Sequence, residues 1–184
     1  MRPLLESARH VQDLLRSEGW KFCFIGGVAL QRWGEPRVTQ DMDVTLLTGF
    51  GLEEQYIDIL LALLPSRIPH ARAFALQNRV LLLKTESEIG IDIALGALPF
   101  EKDIVQRATE FEFLPGIVLT TCSAEDLIVM KAFADRDRDW VDIRGIIERQ
   151  RVLDSNQILR ELAPLVELKE APGIILRLEK LLAG

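Results

Sequence analysis

The apolar run Lys21-Phe22-Cys23-Phe24-Ile25 ends on the pair Gly26-Gly27, and Asp41-Met42-Asp43 soon opens a second apolar run. No other feature constrains this chain as much. Two glycines leaving a strand permit a tight turn and a close backbone approach to whatever lies beyond it. In an extended run side chains alternate, so Asp41 and Asp43 point to the same face. Two like charges held that close repel, and a cation between them is the simplest reason to keep both.

Asp92 is the third acid. In Ile89-Gly90-Ile91-Asp92-Ile93-Ala94-Leu95 the isoleucines alternate and Asp92 takes the opposite face. A carboxylate inside an apolar strand is costly to bury unless it is paired or metal-bound. Asp58, in contrast, falls in a helical pattern with access to solvent. With only two histidines, His10 and His70, a His-rich zinc site and a Ser-His-Asp triad have little support. Metal chemistry here is therefore carboxylate chemistry, which favours Mg2+ or Mn2+.

Composition narrows the function classes. Of 184 residues 48% are hydrophobic and 27% charged, the make-up of an ordinary globular chain. The net charge of −6 provides no global field for a polyanionic partner. Two cysteines, Cys23 and Cys122, lie far apart in apolar segments, so a reducing cytoplasm is the expected location. No apolar run is long enough to span a bilayer.

Periodicity predicts an amphipathic helix over residues 3–18, with Leu4, Leu5, Ala8, Val11, Leu14 and Leu15 on one stripe. Strands follow at 21–25 and 41–47, a short helix at 28–33, and a helix at 52–64. A hairpin is expected from 79–85 and 89–95, a helix at 100–109, and two short strands about Pro115-Gly116. From Ser123 onward the pattern is helical throughout, and Ser123 with Asp126 resembles a capping box. The chain reads as mixed α/β (α+β), with a core over 1–121 and a helical region over 122–184.

In order along the chain stand Ile25-Gly26-Gly27-Val28-Ala29, Arg37-Val38-Thr39-Gln40-Asp41-Met42-Asp43-Val44 and Ile91-Asp92-Ile93. Ser123-Ala124-Glu125-Asp126-Leu127-Ile128-Val129-Met130-Lys131 and Arg138-Asp139-Trp140-Val141-Asp142 follow. This series resembles the nucleotidyltransferase superfamily, and within it the AbiEii/AbiGii toxin-like branch. The resemblance implies a small mixed sheet flanked by helices, with a helical C-terminal subdomain closing the nucleotide cleft. It implies transfer of a nucleoside monophosphate from a nucleoside triphosphate (NTP) to a hydroxyl by a two-metal mechanism. In that scheme Asp41, Asp43 and Asp92 are the catalytic metal ligands, with Asp92 on the side of the nucleophile. Gly26, Gly27, Arg37, Thr39 and Lys131 would serve the nucleotide, and Asp139 and Asp142 would orient the cleft. Many members carry Gly-Ser where this chain has Gly-Gly, which leaves only backbone donors at the loop.

The residues leave plainer roles open. Arg37 can be a loop tether, Lys131 a solvated helix residue, and Asp139 with Asp142 a favourable start to a helix. The implied acceptor is RNA such as tRNA, a protein or a small molecule, and the branch implies a cognate antitoxin. Two alternatives stand beside this reading: a degenerate nucleotide-binding or interaction module without catalysis, and an aminoglycoside-like small-molecule nucleotidyltransferase.

Overall fold

Residues 1–183 are described by a computed structural model. Its helices are α1 (Arg2–Ser17), α2 (Gly26–Trp33), α3 (Glu53–Leu63), α4 (Ala71–Asn78), α5 (Pro99–Arg107), α6 (Ala124–Ala134), α7 (Asp137–Arg149), α8 (Ser155–Leu168) and α9 (Gly173–Leu182). Its strands are β1 (Phe22–Ile25), β2 (Asp41–Leu47), β3 (Val80–Lys84), β4 (Gly90–Gly96), β5 (Thr109–Leu114) and β6 (Ile117–Thr121). The chain divides into two units. One holds Met1–Val28 and Val38–Cys122; the other holds Ala29–Arg37 and the chain from Ser123 onward.

The first unit is built on one mixed sheet of order β3-β4-β2-β1-β6-β5. Strands β2 and β4 run parallel, as do β1 and β6, while β1–β2, β3–β4 and β5–β6 are antiparallel. The expected fold class agrees with this mixed, helix-flanked sheet. Alternation divides the sheet into two faces. Phe24, Val44, Ile93 and Leu81 line up across four strands and form a fully buried core. Helix α1 adds Leu4, Leu5, Ala8, Val11 and Leu15 to that core, and α3 adds Ile57 and Leu60. The other face carries Asp43 and Asp92.

Both ends of α1 follow from the sequence. Pro3 stands in the first turn, where its missing N–H is not needed, and Gly19 at φ +71° ends the helix in the left-handed region. Helix α4 has no counterpart among the sequence-based expectations. Its eight residues are too few to display a stripe, and it is bounded by His70 and Arg79, both left-handed and neither a glycine.

The second unit packs α6 against α7 and α8, and α8 against α9. Leu127, Ile128, Ile143, Ile146, Ile158, Leu162 and Leu178 are all fully buried. The Ser123 hydroxyl accepts the Asp126 N–H at 3.1 Å and donates to the Asp126 carboxylate at 2.8 Å, which starts α6.

Candidate active site

Strand pairing brings the three acids together. Asp43 is opposite Asp92, and Asp41 is opposite Gly90, in the parallel β2–β4 ladder. Paired residues share a face, so Asp41, Asp43 and Asp92 stand on the side of the sheet away from the Phe24–Val44–Ile93 core. All three are partly buried. Burial pushes the Asp92 carboxyl above the usual carboxylate range; the Arg67 guanidinium pulls it down and the Asp41 charge pushes it up again.

The glycine pair does more than turn the chain. Gly26 has φ +54° and begins α2 directly after β1. A Cβ there would stand 2.0 Å from Oδ2 of Asp43. A Cβ on Gly27 would stand 2.4 Å from the Thr39 hydroxyl. Each missing side chain thus leaves the place that a site residue fills. The Gly27 N–H donates to Asp43 at 3.4 Å, and the Thr39 hydroxyl donates to the Asp41 carboxylate at 3.2 Å and to the Asp41 carbonyl at 3.1 Å. The two acids are held from outside their own strand.

Among the described residues no group of three or more His, Cys, Asp or Glu side chains is gathered closely enough to hold a metal ion. The donor set still fits one hard cation. Asp41 and Asp43 offer carboxylate oxygens from one strand face, and Mg2+ is commonly held by one or two carboxylates completed by substrate phosphates. Asp92 is engaged otherwise: Arg67 Nη2 donates to its Oδ1 at 2.5 Å.

Arg67 is the site residue that sequence reasoning missed. One signal for it exists. Gly90 opens a strand whose core face is Ile91, Ile93 and Leu95, and a glycine in a strand often marks a close approach.

The remaining expected residues lie in the helical unit. Arg37 holds Asp142 through Nε and Nη2, both at 3.0 Å. Lys131 Nζ donates to Asp142 at 2.6 Å and to Asp139 at 3.0 Å. Lys131 and Asp142 are buried, with side chains 7% and 5% exposed. Burial works against ionising Asp142, yet Arg37 and Lys131 together hold its carboxyl below the usual range. Oδ2 of Asp139 is buried without a hydrogen-bond partner. Lys131, expected to reach phosphate oxygens, thus has its ammonium on two carboxylates of α7.

The family model described as nucleotidyl transferase AbiEii toxin, type IV TA system, matches residues 13–172. The chain belongs to this family. No curated protein sequence matches it. Among solved structures, the fold is similar to an antigenic nucleotidyltransferase-like protein from Paracoccidioides brasiliensis, at 16% identity and TM-score 0.55, covering 95% of this chain and 92% of that one. It is similar to the lincosamide antibiotic adenylyltransferase LnuA in its lincomycin-bound form, at 15% identity and TM-score 0.54, over 77% of this chain and 94% of LnuA. The antibiotic-resistance factor ANT(2'')-Ia matches at 13% identity and TM-score 0.55, over 90% of this chain and 91% of that one. At these identities the likeness is one of fold. The AbiEii chain thus carries a nucleotidyltransferase fold with three acids on one sheet face. None of its described helices is long and apolar enough to cross a membrane.

Proposed function

We propose that this AbiEii-family chain is a Mg2+-dependent nucleotidyltransferase that moves a nucleoside monophosphate from an NTP to a hydroxyl acceptor. The observation that carries this reading is the placement of Asp41, Asp43 and Asp92 on one sheet face, against the Gly26-Gly27 turn. Asp41 and Asp43 would hold the ion, which when bound neutralises phosphate charge and steadies the departing pyrophosphate. Asp92 would face the acceptor hydroxyl and take its proton. The acceptor oxygen bonds the α-phosphorus, the bond between that phosphorus and the pyrophosphate oxygen breaks, and pyrophosphate leaves.

Gly27 and Thr39 lie beside the two ion ligands and would border the triphosphate. Arg37, Lys131, Asp139 and Asp142 would act as a charge-balanced brace rather than as phosphate contacts, because Lys131 already has carboxylate partners. The family description supports a toxin role with a cognate antitoxin. The likeness to lincomycin-bound LnuA supports a small-molecule hydroxyl as one acceptor class, beside RNA and protein.

The test is label transfer. Purified protein, Mg2+ and each α-labelled NTP are incubated with total tRNA, cell lysate protein or small polyols and aminoglycosides. One acceptor class is expected to take up label, and Asp43→Asn to lose it by about a hundred- to a thousandfold, as for loss of a principal electrostatic group. NTP and Mg2+ binding without transfer to any acceptor would instead favour the non-catalytic module.

A further inference from the structure

Arg67 lies on the short segment after α3, and its backbone is tied to the sheet edge. The Arg67 N–H donates to the Leu82 carbonyl at 3.0 Å, the Pro65 carbonyl accepts the Lys84 N–H at 2.9 Å, and Ser66 bridges Leu83. From there the side chain reaches β4 and donates to Asp92. Its Nη1 is 2.5 Å, and its Cζ 3.6 Å, from the place a Cβ on Gly90 would take. The Cβ of Asp41 is 3.3 Å from the same point. Gly90, the first residue of β4, thus leaves the space in which a guanidinium lies alongside Asp41 and Asp92.

Charge favours this arrangement. Three carboxylates are matched by one divalent ion and one guanidinium. A second divalent ion on Asp92 would have to displace Arg67 or lie beside its positive charge, which is unfavourable at short range in a partly buried site. We propose that Arg67 is the resident cation of the Asp92 side, so that the site takes one divalent ion, at Asp41 and Asp43, rather than two. The inference rests on the nucleotidyltransferase reading and deepens it. Arg67 is a positioning residue here: it acts through Asp92 and supplies a fixed positive charge where the acceptor is expected.

The test counts ions on the full chain with Mn2+ alone, following free Mn2+ by electron paramagnetic resonance. The wild-type chain is expected to bind one Mn2+, and Asp43→Asn none. Arg67→Ala is expected to bind two, because Asp92 is released. Gly90→Ala is the second route to the same state. The atom its new Cβ meets most closely is the tip of a flexible side chain, so Arg67 is pushed aside, while the Cβ of Asp41 at 3.3 Å has to give by only a few tenths of an ångström. Arg67→Lys, which keeps a charge, is expected to return the count to one. Circular dichroism confirms that each variant is folded. Two ions on the wild-type chain, with label transfer intact, would overturn the role of Arg67 and leave the enzymatic reading standing. One ion on both Arg67→Ala and Gly90→Ala would overturn it equally. No ion on the wild-type chain, together with no transfer, would overturn both readings.

Discussion

At the scale of single residues, the two glycines matter for what they leave out. Such a pair can serve as a phosphate loop, because bare backbone N–H groups can approach an anion. Here the omitted Cβ atoms also clear space for Asp43 and Thr39. The two roles make different predictions. If Gly26 serves only to expose backbone, Gly26→Ala should weaken NTP binding and leave Mn2+ binding alone. With Oδ2 of Asp43 at 2.0 Å from the new Cβ, and φ at +54°, the carboxylate must instead move. Gly26→Ala is therefore expected to weaken Mn2+ binding by about tenfold or more, equivalent to about 1.4 kcal/mol. A Mn2+ titration in the absence of nucleotide decides it, and an unchanged affinity would return Gly26 to the backbone-only role. Gly27→Ala meets the Thr39 hydroxyl, and its effect should pass through Asp41 and be smaller.

At the scale of elements, the parts legible in the sequence are those whose local pattern and tertiary role coincide. Strands β2 and β4 alternate over Asp41-Met42-Asp43-Val44 and Ile91-Asp92-Ile93-Ala94-Leu95, because one face there is core and the other is the site. Alternation alone therefore places Asp41 with Asp43, and sets Asp92 on the face opposite its neighbouring isoleucines. Arg67 is not legible in this way, since its partner is 25 residues away and the pairing depends on the register of an edge segment. The C-terminal helices are announced by periodicity, but the partners of Lys131 are not. That lysine reads as solvated on α6, yet its ammonium is buried against Asp139 and Asp142 of α7. Breaking a buried pair leaves charges without partners, which typically costs about 3–5 kcal/mol. Lys131→Met is expected to destabilise the chain by that order in urea unfolding. A change below ~1 kcal/mol would mean the pair is solvated in solution. The cap of α6 gives a milder case. Ser123→Ala removes the acceptor for the Asp126 N–H and should cost about 1 kcal/mol, or roughly 2–4 °C in melting temperature for a chain of this size.

At the scale of the whole molecule, charge is arranged so that acid should be the destabilising condition. The carboxyls of Glu53, Asp58 and Asp142 are held below their ordinary range by Arg79, by Arg72, and by Arg37 with Lys131, respectively. A carboxylate lowered on folding stabilises the native state above its unfolded pKa, and that contribution disappears as pH falls through the folded value. Asp92 has the opposite sign. Its carboxyl is raised, mainly by burial, so its ionised form costs stability at neutral pH and the cost fades on mild acidification. Stability should therefore hold, or rise slightly, from pH 7 toward about 5, and fall steeply below about 4, where ordinary carboxylates take up protons. Asp142 should contribute most of the fall, because Asp58 and Arg72 are both open to solvent and screening and Glu53 is held by one arginine, whereas Asp142 is 5% exposed and held by two cations. The measurement is the melting temperature of wild type and Asp142→Asn between pH 7 and 3. At neutral pH the variant should melt well below wild type, since Arg37 and Lys131 lose a shared counter-charge. The gap should begin to narrow as pH drops below about 4, where the unfolded chain takes up the proton that folded Asp142 still refuses. A gap that stays constant over the whole range would show that Asp142 supports the helical unit by packing rather than by charge.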